Sequence, residues 1–95
     1  MPSVSVIMPA HNAARYLGQA IQSVVAQAWI DWELIVVDDG SSDDTPAVLL
    51  GFDDPRIINL RQENMGEAAA RNAGLDIAHG RYVAVSYTHL RAHET

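Results

Sequence analysis

With 95 residues and a net charge of −6, the chain is one small domain at most, and a domain of that size buries roughly 60–65% of its unfolded surface. The absence of cysteine excludes a disulfide framework and a thiolate metal site, and six scattered cations, all Arg, leave no footprint for a nucleic acid. No apolar run is long enough to span a bilayer and no signal peptide opens the chain, so a cytoplasmic location is expected, with membrane association left open.

Val4 to Met8 reads as a first strand closed by Pro9, which has no N–H for a ladder. Asn12 is placed to cap a helix running to about Gln27, with Leu17, Ile21, Val24 and Val25 on one face. Glu33 to Val37 is a second strand. Its unbroken Leu34-Ile35-Val36-Val37 run is the pattern of a strand buried on both faces, as in parallel sheets. It leads straight into Asp38, Asp39 and Gly40. Thr45 caps a short helix with Pro46 at its first position, where a missing N–H costs least. Asp53-Asp54-Pro55 is a turn, and Arg56 to Leu60 is a weaker third strand.

Asn64 and Glu67 form a capping-box variant that opens a helix to about Ala78, with Ala69, Ala73 and Ile77 as a small-residue face. His79-Gly80 ends it, and Tyr82 to Val85 begins a fourth strand. The order βαβαβαβ predicts an α/β fold: a parallel sheet with right-handed crossovers and helices on both faces.

Four blocks carry a resemblance: Val4 to Asn12, Trp32 to Thr45, Asn64 to Gly74, and Gly80 to Ala84. In order and spacing they resemble the family 2 glycosyltransferases, over nearly the whole chain to residue 84. The resemblance implies a partial GT-A (Rossmann-like) sheet and transfer of a sugar from a nucleotide-diphosphate-sugar donor, UDP-linked above all, to an acceptor hydroxyl. It further implies inversion at the anomeric carbon and a need for Mn²⁺ or Mg²⁺. Residues 1–84 would then be the amino-terminal, nucleotide-sugar-binding half of the domain.

Ligands of such sheets bind beyond the carboxyl ends of the strands, which is where Asp38 and Asp39 fall. By the resemblance, Asp39 accepts hydrogen bonds from the donor's nucleoside, a task suited to an acceptor-only carboxylate. Asp38 is read as ordering the turn. The competing reading has both acids merely capping the turn and the next helix. Pro9, Ala10 and His11 correspond to the loop that lines the nucleobase pocket, mainly through backbone groups. A lone His at a strand end is more often a packing residue, so His11 has no catalytic role here.

Arg71 corresponds to the region that approaches the donor diphosphate, where a guanidinium can hold phosphate oxygens bidentately. Its bland alternative is an i, i+4 pair with Glu67. Gly66 and Gly74 are read as close-packing positions, since no G-x-G-x-x-G or P-loop is present. The acidic loop lacks the EF-hand spacing, and Asp43 and Asp44 suit a helix N-terminus.

After Ala84 the family pattern continues to an Asp-x-Asp metal motif, but Tyr87 and His89 hold the acidic positions. Neither is a hard oxygen ligand for Mg²⁺. Residues 85–95 resemble a translated sequencing adapter and are read as a non-native tail. The His89 and His93 spacing mimics half a zinc site without a third ligand. The chain alone is therefore expected to lack both metal site and general base, and to be inactive. Two rivals remain: a non-catalytic nucleotide-binding module, and a structural α/β domain whose acidic loop is only a turn.

Overall fold

A computed structural model of the chain describes residues 2–27 and 31–85. The expectations for Tyr87, His89, His93 and the rest of the tail beyond Val85 lie outside the described residues. The elements are β1 (Val4–Ala10), α1 (Ala14–Gln27), β2 (Trp32–Asp39), α2 (Thr45–Leu50), β3 (Ile57–Gln62), α3 (Glu67–Ile77) and β4 (Tyr82–Val85). They build a sheet of order β3-β2-β1-β4, with β1 parallel to both β2 and β4 and β2 parallel to β3. The α/β architecture expected from the element order is the one observed.

Strand order and helix placement follow from one chirality rule. The chain steps from β1 to β2 to β3 in one direction, then returns past both to lay β4 on the other side of β1. Right-handed crossovers in opposite directions put their helices on opposite faces. Accordingly α1 and α2 share one core, formed by Leu17, Ile21 and Leu49 over Met8, Ala10, Trp32, Leu34 and Val36. On the other face, Ala70 of α3 packs on Ile35 and Val37. All eight residues of β2 are buried, as its unbroken apolar run implied.

Alternation along β2 sends consecutive side chains to opposite faces. Asp38 therefore leaves on the α1–α2 face and Asp39 on the α3 face. At the other end of the sheet the same alternation buries Glu33 beneath the α3–β4 connection. Its carboxylate accepts bonds from the Ser5 hydroxyl at 2.6 Å and the His79 N–H at 2.6 Å, and Ser5 Oγ accepts the Gly80 N–H at 2.7 Å. Burial alone would raise the Glu33 pKa, but these bonds and the His79 side chain outweigh it and hold the group below its usual value.

Four boundary expectations are corrected. Pro9 lies inside β1, which continues to Ala10, because the ring's φ suits an extended strand. Asn12 does not cap α1: the N–H groups of Ala13 and Ala14 bond instead to Thr45 Oγ1 at 2.9 Å and Asp43 Oδ2 at 3.2 Å. Thr45 is the first residue of α2 rather than its cap, and Asp44 holds the cap position without a side-chain bond. The Asn64–Glu67 capping box is not formed, since Gly66 is the residue before α3 and no side chain of its own segment caps it. No helix among the described residues is long and apolar enough to cross a membrane.

Candidate functional site

An open cavity of about 350 Å³ lies beyond the carboxyl ends of β1 and β2, lined by Pro9, Ala10, His11, Asp39, Asn64, Gly66, Glu67 and Ala70. That volume falls within the range of small-ligand pockets. Three segments meet there: the end of β1, the end of β2, and the turn that enters α3. Pro9, Ala10 and Ala70 supply an apolar wall; Asp39, His11 and Asn64 supply the polar groups.

Asp39 is the anchor. It is buried, and its carboxylate accepts three hydrogen bonds: Gln62 Nε2 at 2.8 Å and Met65 N–H at 2.8 Å on Oδ1, and Gly66 N–H at 2.9 Å on Oδ2. Burial opposes its charge, but these three donors and the nearby His11 prevail, so its pKa lies below the usual carboxylate value. The group stays ionised at neutral pH. A carboxylate offers about four acceptor positions. Oδ1 already takes two donors and Oδ2 one, which leaves one acceptor position on Oδ2 for a ligand. Asp39 thus both closes the entry to α3 and retains a free lone pair.

His11 donates from Nδ1 to the Asp39 carbonyl at 2.7 Å. A carbonyl can only accept, so Nδ1 carries a proton. Asp38 is buried against Arg61, which also donates to the Ser41 carbonyl at 3.1 Å, and it accepts the Ser41 N–H at 3.0 Å. Those partners make Asp38 the turn-ordering acid that the sequence suggested.

Of the expected site residues, the fold gathers Pro9, Ala10, His11 and Asp39 around one cavity. Arg71 sits half-buried on α3 beside Ala70 and is not among the lining residues. Gly74 does pack closely, since a Cβ there would fall 2.6 Å from Ile7 Cγ2. Gly66 does not: nothing would meet its Cβ, and its need for glycine comes from a φ of 102°. Sequence reasoning missed Asn64, Glu67 and Ala70 as lining residues, and Gln62 as a donor to Asp39. Gln62 closes β3, and Asn64, Glu67 and Ala70 lie between there and the first turn of α3, so nearness to the carboxyl end of β3 was the available signal. Among the described residues no three His, Asp or Glu side chains converge as a metal site. With one acceptor position open and no cluster of three ligating side chains around it, Asp39 does not make a site for Mn²⁺ or Mg²⁺ among the described residues.

A three-layer α/β fold with an acidic, partly apolar pocket at its strand ends has the architecture of the GT-A kind. The Glycosyl transferase family 2 model matches residues 5–90, and the chain belongs to that family. It is 46% identical over 82 residues to the UDP-Glc:alpha-D-GlcNAc-diphosphoundecaprenol beta-1,3-glucosyltransferase WfgD of Escherichia coli, covering 85% of this chain and 32% of that protein.

Among solved structures, a mannosyltransferase from Pyrobaculum calidifontis in complex with GDP-Man and Mn²⁺ superposes with a TM-score of 0.84 at 28% identity, over 92% of this chain and 27% of that one. TarS 1–349 of S. aureus in complex with UDP-GlcNAc gives a TM-score of 0.78 at 25% identity, over 90% and 26% of the two chains. The chain spans about a quarter to a third of the length of WfgD and of two further curated relatives.

Proposed function

We propose that the cavity at Asp39 receives the nucleoside of a nucleotide-sugar donor, and that the whole enzyme transfers the sugar to an acceptor hydroxyl. The observation that carries this reading is the single acceptor position left on Asp39 Oδ2, in a pocket with an apolar wall. One acceptor fits one ring N–H, as uracil presents at N3. Guanine presents two adjacent donors and would need a second free oxygen. A UDP-sugar is therefore the favoured donor, in keeping with the UDP ligands in the names of WfgD and the TarS complex.

Inversion, a general base and a divalent ion belong to the same proposal for the whole enzyme, as does a cytoplasmic location. An ion there would neutralise charge on the departing diphosphate. The described residues supply no ligand set for it. Arg71 remains the proposed diphosphate contact, with the sugar and its phosphates extending from the cavity along α3. Residues 1–84 form the donor-binding half, so this chain by itself is expected to bind donor without transferring sugar.

The test is a titration of the ¹⁵N-labelled chain with UDP. The amides of Met65, Gly66 and Ala70 are expected to shift together, and GDP to produce smaller shifts. If UDP at millimolar concentration leaves those three signals in place, the donor-site reading is wrong.

A further inference from the structure

We infer that Asn12 is a positioning residue for this cavity, holding its two strand-end walls together without touching the ligand; the inference rests on the donor-site reading. Asn12 does not line the cavity. Among the described residues it is the one non-glycine with a positive φ, 50°, a backbone state that Asn tolerates better than most residues.

From that position the residue reaches across to the loop after β2. Its Oδ1 accepts the N–H groups of Ser42 at 2.8 Å and Asp43 at 3.3 Å, and its own N–H donates to Ser41 Oγ at 2.9 Å. Its Nδ2 lies 3.4 Å from His11 Nε2. The bonds from Ala13 to Thr45 and from Ala14 to Asp43 continue the same clasp.

Each clasped loop carries one wall of the cavity. His11 directly precedes Asn12, Asp39 lies two residues before Ser41, and the two walls touch through His11 Nδ1 and the Asp39 carbonyl. The clasp therefore fixes the separation of the walls before any ligand arrives. Ordering a loop on binding subtracts from affinity, and a loop ordered beforehand avoids that loss. Asn12 is exposed and belongs to neither apolar core, so loosening it should be felt at the cavity more than in the core.

Two substitutions separate the roles. Asn12→Gly keeps the left-handed backbone and deletes the amide, whereas Asn12→Asp keeps an acceptor oxygen in the same place. Hydrogen exchange is read at Met65 and Gly66, whose amides bond to Asp39 and not to Asn12. Affinity is read with UDP.

Asn12→Gly is expected to speed exchange at Met65 and Gly66 as well as at Ser42 and Asp43, and to raise the Kd for UDP about tenfold. Asn12→Asp should restore most of both. Faster exchange confined to Ser42 and Asp43, or a Kd within about twofold of the unsubstituted protein, overturns the inference. Should Asn12→Gly fail to fold, Ser41→Ala carries the same two readouts with the same deciding outcomes. If the unsubstituted protein does not bind UDP, the donor-site reading falls, and exchange at Met65 and Gly66 still decides whether Asn12 holds Asp39 in place.

Discussion

Asp39 serves the fold and the cavity with the same two oxygens. Replacing it with Ala leaves Gln62 Nε2 and the N–H groups of Met65 and Gly66 without their acceptor. These bonds are part-buried and Met65 and Gly66 are exposed, so water can replace the lost acceptor and each bond is worth about 0.5–1.5 kcal/mol. Asp39→Ala should therefore lose stability and UDP affinity together, so a stability loss says nothing against a ligand role. Asp39→Asn separates them better, because one oxygen remains to accept the pair of donors on Oδ1. Its NH₂ then faces Gly66 and the ligand position, where it can accept nothing. We expect a loss of about 1 kcal/mol in stability, from the single bond to Gly66, with a fall of at least about tenfold in UDP affinity. Urea midpoints and UDP titration of the same sample check this; unchanged affinity in Asp39→Asn would count against the nucleoside contact. The location of Asp39 was legible because an apolar run ending in acids marks a strand's carboxyl end. Its partners were not. The Asn64–Glu67 spacing advertises a local cap, and nothing local reveals that the acceptor comes from a residue 26 positions earlier.

At the scale of elements, the seven expected helices and strands are all present, because strand runs and helix faces are written in the local spacing of apolar residues. Boundaries drifted wherever an end is held by a distant group. Thus β2 runs two residues further, to Asp39, and α1 is capped from the loop after β2. Sheet order also lies outside local spacing, since it depends on which face each helix chooses. The small-residue character of α3 was a usable clue, although the buried positions are Ala70 and Gly74 rather than Ala69. Gly74 gives a sharp test. A methyl there would sit 2.6 Å from Ile7 Cγ2 and 3.4 Å from Val37 Cγ2. Ile7 is fully buried and branched at Cβ, so it cannot swing aside. Gly→Ala in a helix gains about 1 kcal/mol in propensity, whereas overpacking a core costs about 1–3 kcal/mol. Gly74→Ala should lose about 1 kcal/mol net by chemical denaturation. A stabilised variant would mean that α3 rides further from the sheet than described.

Across the whole molecule, acid should act on both ends of the sheet at once. Glu33 ties β1, β2 and the α3–β4 connection together, and Asp39 ties β2 to α3; both carboxylates have folded pKa values below their usual 4.5 and 3.8. A depressed carboxylate contributes stability above its unfolded pKa and loses it as pH falls through the folded one. Stability should then decline from about pH 4.5 downward, and Glu33→Gln should sit below the unsubstituted chain at pH 7 and converge with it in acid. Urea midpoints that stay parallel down to about pH 2 would refute a role for Glu33 ionisation. The sheet's weak point is its β4 edge. Among the described residues β4 pairs with β1 alone, and all four of its residues, Tyr82, Val83, Ala84 and Val85, are exposed. Native edges are guarded by charge, proline or a bulge, and Tyr-Val-Ala-Val carries no charge and no proline. An apolar edge strand invites a second strand, so the protein is expected to self-associate with rising concentration. Val83→Lys places a charge on that edge, and Val83 is exposed enough to change without disturbing either core. Sedimentation velocity should show the unsubstituted chain growing heavier with concentration while Val83→Lys stays monomeric. If both sediment identically as monomers across the series, the edge is not adhesive, and the exposed strand imposes no cost on solubility.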